Sequence, residues 1–136
     1  MPRWFVLSAR VASAIITIAI ILFSLLPQQR VSDVIRIFPL RDIGAHAVAY
    51  CAFGCSWFAT FFHYDGSKHK YSTIIVSFIV VLCGISLGFA LELLQPLFGR
   101  SAEFKDLVAD SIGVVTGVAV AYGFTTWYVK NRGEKK

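Results

Sequence analysis

Charge is what this sequence has least of. Only 15% of its 136 residues are Asp, Glu, Lys or Arg, while 57% are hydrophobic and the mean hydropathy is +0.68. A soluble domain usually carries roughly a quarter of its residues as charges. This chain lacks the polar surface to cover a core in water, which points to an integral membrane protein. Cysteine is scarce too. Cys51 and Cys55 stand four apart on one helix face and Cys83 lies in another apolar run. An odd count without zinc-like spacing excludes a disulfide framework or a zinc finger; small apolar packing is the reading left. There is no second domain, repeat or low-complexity linker, so residues 1–136 read as one transmembrane domain. No recognisable nucleophile motif is present either. The net charge is +5, but the cations sit outside the apolar runs. That pattern suits a membrane surface and lipid head groups rather than nucleic acid.

What the sequence does have is long apolar runs. A spanning helix needs about 20 mostly apolar residues, and the segments 4–26, 42–62, 72–98 and 106–129 qualify. The expected fold is all-α: an integral membrane four-helix bundle. Arg3 and Arg10 ahead of the first run resemble a secretory signal, but Pro27-Gln28-Gln29-Arg30 is no small-residue cleavage site, so the run is read as a retained helix. Eight of the thirteen Lys and Arg residues (Arg3, Arg10, Lys68, Lys70, Lys130, Arg132, Lys135 and Lys136) fall on one side. Both termini are therefore expected to be cytoplasmic. Trp4, Trp57, Tyr71, Trp127 and Tyr128 fall near the same proposed interface, where amphipathic rings settle. Between the first two runs, Val31, Val34, Ile35 and Phe38 suggest a short amphipathic helix on the outer surface.

Helices that alternate in direction bring the start of the second, the end of the third and the start of the fourth to one face. The unusual polar residues are concentrated there. Asp42, His46 and Tyr50 recur at i, i+4, i+8 and share a stripe of the second helix. Glu92 and Gln95 precede the end of the third, Arg100 sits in the following loop, and Asp106 and Asp110 open the fourth. Ionisable residues inside a membrane face the bundle interior and pair with one another, so an outward-facing polar pocket is expected. Gly84-x-x-x-Gly88 and Gly113-x-x-x-Gly117 would let helix backbones approach closely below it.

Asp42-x-x-x-His46-x-x-x-Tyr50-x-x-x-Gly54, then Glu92-x-x-Gln95, Gly99-Arg100, Asp106 and Gly113, resembles the VanZ-like family of bacterial membrane proteins. The resemblance runs from about residue 41 to residue 121. Ile43 stands where the family often has Lys, and Asp110 where Asn is common. The resemblance implies a multi-pass protein of the bacterial inner membrane with an envelope role, as in the teicoplanin resistance behind the family's name.

Each polar residue supports two readings. Asp42 either caps its helix or orients His46 as an acid–base pair. Glu92 either pairs with Arg100, Tyr50 or His46, or acts chemically. Arg100 either clamps a phosphate bidentately or anchors the interface. Asp106 suits a helix start, yet with Asp110 it makes a repelling i, i+4 pair. A divalent metal held by Asp106, Asp110 and Glu92, with His46 completing the set, would relieve that repulsion. Glu103 and Lys105 read as loop surface charges. Two functions follow. In one, an enzyme acts on a lipid-linked or anionic envelope precursor through Asp42, His46, Glu92 and Asp106, with Tyr50, Gln95, Arg100 and Asp110 binding it. In the other, a non-catalytic protein binds such an amphiphile, or a partner, in the same pocket.

Overall fold

A computed structural model of the chain describes residues 3–26, 41–62 and 70–133. The amphipathic helix expected between the first two runs lies outside the described residues, as do Arg30, Arg36, Lys68, Lys135 and Lys136. The described residues form four α-helices, α1 Arg3–Leu25, α2 Arg41–Phe61, α3 Lys70–Leu94 and α4 Phe104–Gly133, with a 3-10 turn over Gln95–Phe98. There is no strand among the described residues, so the all-α bundle is what forms.

Three stretches among the described residues are long and apolar enough to cross a membrane: Leu7–Leu25 in α1, Thr73–Phe98 in α3 and its 3-10 extension, and Phe104–Tyr128 in α4. The fourth expected span behaves differently. At 21 residues α2 extends about 30 Å, enough to cross, but it falls short of the others in apolarity. Gly44, His46, Tyr50, Gly54 and Ser56 dilute its aliphatic content because this helix faces protein. α2 packs chiefly on α4 and then on α1, while α3 packs mainly on α4.

Glycine sets how close α2 and α4 come. A Cβ at Gly117 would collide with the Cys51 carbonyl, and one at Gly113 with that of Ala47. From the other side, a Cβ at Gly54 would meet the Val114 carbonyl at 2.5 Å. The expected Gly113/Gly117 pair thus serves an α2–α4 crossing in which the backbones nearly touch. Gly84 and Gly88 bring α3 against Val114 and Asp110 of α4 and against Phe53 and Tyr50 of α2. Tyr50, Phe53, Phe58, Val80, Leu91, Val114 and Val118 fill the centre. Leu22, Phe78, Phe89 and Phe124 are among the many large apolar side chains exposed on the outside, which suits lipid better than water.

At one end, hydroxyls tie α1 to α2. Ser13 Oγ lies 2.9 Å from Thr60 Oγ1, and Trp57 Nε1 donates to Thr17 Oγ1 at 3.0 Å. The Cys55 thiol donates to the Gly117 carbonyl at 3.1 Å, so it sits in the α2–α4 seam as a small packing group.

The other end is shaped by Pro96. Lacking an N–H, proline cannot continue the α-helix ladder, so α3 stops at Leu94 and tightens into the 3-10 turn. Gly99 closes the turn at φ 74, a left-handed conformation that glycine adopts without strain. The third helix was expected to run to residue 98, with Glu92 about 9 Å below its end. Glu92 instead lies in the last turn of α3. The fourth helix begins at Phe104 rather than Asp106, so Asp106 is inside the first turn and does not cap it.

Candidate functional site

The helices alternate in direction, so the start of α2, the end of α3 and the start of α4 converge, and Arg100 links them to the end of α1. All eight residues singled out in the sequence lie in this region. Six of them are buried among ordinary core side chains: Tyr50, Glu92, Gln95, Arg100, Asp106 and Asp110.

His46 is at the centre, with carboxylates on both ring nitrogens. Nδ1 lies 2.8 Å from Asp110 Oδ1. An ionised carboxylate only accepts, so Nδ1 carries the hydrogen and donates it. On the opposite edge, Nε2 faces Asp106 Oδ2 at 3.9 Å and Asp42 Oδ1 at 4.0 Å. Both distances exceed a hydrogen bond. The expected Asp42–His46 pairing is therefore replaced by Asp110–His46. The reason is geometric: across the close α2–α4 seam Asp110 reaches the ring directly, whereas Asp42, one turn back on the same helix, reaches only the far nitrogen. The Tyr50 hydroxyl also bonds to Asp110, so this carboxylate is held from two sides. Asp106 and Asp110 are separated by the imidazole, which relieves the repulsion that their i, i+4 spacing implied.

Glu92 does not pair with Arg100, Tyr50 or His46. Its Oε2 accepts the Glu103 backbone N–H at 2.8 Å. A carboxylate at the end of α3 is thus placed at the start of α4, where the first amides lack partners and the helix dipole favours negative charge. The position that looked unfavourable within its own helix is favourable for the next one.

Arg100 is committed as well. NH1 donates to the carbonyls of Phe23 at 3.1 Å and Ser24 at 3.4 Å, the last turn of α1, and NH2 lies 3.6 Å from Asp42 Oδ2. It satisfies the carbonyls that a helix C-terminus leaves open and ties α1 to α2. Glu103 and Lys105 pair at the surface at 2.5 Å, in keeping with their reading as loop charges.

Not every polar atom finds a partner. Asp42 Oδ1, Glu92 Oε1, Asp106 Oδ1 and both side-chain atoms of Gln95 are buried without a hydrogen bond among the described residues. Burying such atoms unpaired costs free energy. They cluster at this one end.

A cavity of about 320 Å3 lies between α1 and α2. Ile16, Ile20 and Phe23 line one wall and Val48, Ala49 and Ala52 the other, while Asp42, His46 and Arg100 line it with polar groups. It is an apolar groove joined to a polar group. The sequence reading missed the groove walls. The signal that could have found them is Ala45-x-x-x-Ala49-x-x-Ala52, small residues on one face of α2 that leave room beside α1.

The metal-ligand set differs from the expected one. Asp42, His46 and Asp106 each offer an atom within 4.8 Å of the others. Asp110 is instead on Nδ1, and Glu92 is directed to the Glu103 amide.

Three apolar spanning helices around a fourth with polar residues at one end define a helical membrane protein with a buried ionisable cluster. The VanZ/LLP1 family model matches residues 4–126, nearly the whole chain, and the protein belongs to that family. No curated protein and no solved structure matches it.

Proposed function

We propose that this protein takes a cell-envelope amphiphile sideways from the bilayer, holding its apolar chain in the α1–α2 groove and its head group at Asp42, His46 and Arg100. The groove carries this reading: an apolar slot of about 320 Å3 with Asp42, His46 and Arg100 in its lining has the two chemistries of a lipid. Its volume is at the lower end of the roughly 300–1,000 Å3 usual for small-molecule sites, so it suits part of a chain rather than a whole lipid. Val48 and Phe23, 54% and 47% exposed, mark a side entrance between the helices.

Membership of the VanZ/LLP1 family supports a bacterial inner membrane, and the Lys/Arg bias supports cytoplasmic termini with the polar end facing the periplasm. A lipid-linked phosphate or wall precursor is the substrate class that fits this location, and a role in glycopeptide tolerance would follow from it. Asp42, His46 and Asp106 are the groups placed to act on the head group. Tyr50, Glu92 and Asp110 hold the framework around them, and Gln95 supplies unpaired donors and an acceptor nearby.

The test is binding of a fluorescent polyprenyl phosphate to the protein in nanodiscs, beside Val48→Trp. Val48 is exposed, so the bulky ring fills the groove without disturbing the core. Saturable binding by the wild type that the variant loses supports the reading. Equal binding by both overturns it.

A further inference from the structure

An anionic head group entering the polar end would meet the carboxylates of Asp42, Asp106 and Asp110 around His46, and the Arg100 guanidinium is already held by Asp42 and the end of α1. We infer that Asp42, His46 and Asp106 form a binding site for a first-row divalent metal ion such as Zn2+, with Asp110 positioning the histidine.

Four observations support it. First, the donor atoms are grouped: Nε2 lies 3.9 Å from Asp106 Oδ2 and 4.0 Å from Asp42 Oδ1. Zinc bonds to nitrogen and oxygen are about 2.0–2.2 Å long, so tetrahedral donors sit roughly 3.4 Å apart. Each carboxylate oxygen therefore needs to approach Nε2 by about half an ångström and the three donors, now within 4.8 Å of one another, to draw together; Asp42, with its side chain 28% exposed, has room to turn. Second, the imidazole is presented as metal sites present it. Nδ1–H is fixed to a carboxylate, which leaves the Nε2 lone pair directed at the other two ligands; a histidine ligand almost always donates its second N–H in this way. Third, the Asp106 side chain is only 2% exposed, and its Oδ1 has no hydrogen-bond partner. Asp42 Oδ1, the oxygen facing Nε2, is also buried and unpaired. Fourth, three carboxylates around one imidazole are costly in a poorly hydrated place, and a cation among them would offset that cost.

One nitrogen and two carboxylates suit zinc or manganese better than magnesium, which prefers an all-oxygen shell. Three protein ligands also leave a fourth position free. Because His46 and Asp42 line the groove, that position is available to a head-group oxygen.

The experiment is calorimetric titration of Zn2+ alone into chelator-stripped protein in detergent, with metal analysis of the protein as purified. The wild type is expected to bind one equivalent. His46→Ala and Asp106→Asn should abolish it, and Asp110→Asn should weaken it by about 10–100-fold. Cys51→Ser/Cys55→Ser should leave it unchanged. If the His46 variant fails to fold, Asp42→Asn, altered at a half-exposed helix start, carries the test through loss of the same equivalent. No saturable binding by the wild type, or binding that survives in folded His46→Ala or Asp42→Asn protein, overturns the site. With no lipid present, the titration succeeds or fails independently of the polyprenyl phosphate experiment.

Discussion

The two ends of the bundle treat their described polar side chains in opposite ways. At the end formed by the start of α1 and the end of α2, the hydroxyls of Ser13, Thr17, Ser56 and Thr60 and the indole N–H of Trp57 all have partners. These groups are neutral, and several are satisfied by their own helix. At the other end ionisable groups are buried, and five side-chain atoms have no partner. The first end joins helices through neutral hydrogen bonds, modest in energy in a membrane at about 0.6 kcal/mol each. The second joins helices through the buried ionisable groups Arg100, Asp110 and Glu92 and leaves other polar atoms unpaired at a cost in free energy.

Four substitutions sharpen this contrast. The largest effect should come from neither end but from the seam that supports both. Gly117→Val would push side-chain atoms into the Cys51 backbone, and overpacking of this kind costs about 1–3 kcal/mol. Its expected value is at the upper limit, read as loss of monodisperse protein on gel filtration and a lower melting temperature. Arg100→Gln comes next. It removes charge-assisted bonds to the end of α1, worth about 1.5–3 kcal/mol. Cysteine labelling at Ser24 should then become faster, because α1 is released at that end. A Ser24 label rate unchanged by Arg100→Gln would show that the groove wall does not depend on this clamp.

Asp106→Asn should change stability in the other direction. Removing one of the crowded carboxylates in metal-free protein is expected to raise stability by about 0.5–2 kcal/mol, seen as a higher melting temperature in the presence of chelator. A fall instead would mark Asp106 as a structural partner and place it with the satisfied group. Ser13→Ala should be the mildest, about 0.6 kcal/mol, with no effect on zinc or lipid binding. If Ser13→Ala were as damaging as Arg100→Gln, the division between the two ends would fail.

Much of the fold was legible because lipid imposes a simple rule: backbone polar groups must be paired within the helix, so long apolar runs can only be helices. The count of four helices, their alternation and the gathering of Asp42, His46, Glu92, Arg100, Asp106 and Asp110 at one end follow from run length and connectivity. The glycine spacing of α4 likewise indicated a close crossing. Helix α2 was less legible, since it is buried by protein and has less need of aliphatic side chains than its neighbours. The end of α3 was misjudged because apolarity continues through Pro96 to Phe98, while the hydrogen-bond ladder does not.

Which polar residue partners which was decided only in three dimensions. Asp42, four residues before His46, looked like its natural partner, yet Asp110, 64 residues later in sequence, holds the ring. Glu92 looked unfavourable at a helix end until the start of α4 came within 2.8 Å of it. Arg100 read as a phosphate clamp or an interface anchor until α1 presented its carbonyls. Sequence determines which residues share a helix and a depth, because the rise and turn of a helix are fixed. It leaves open the rotation of one helix against another and its close approach, which depend on many small packing contacts at once. Those decided that Nε2 of His46, Asp42 and Asp106 face one another, and that a groove opens beside them.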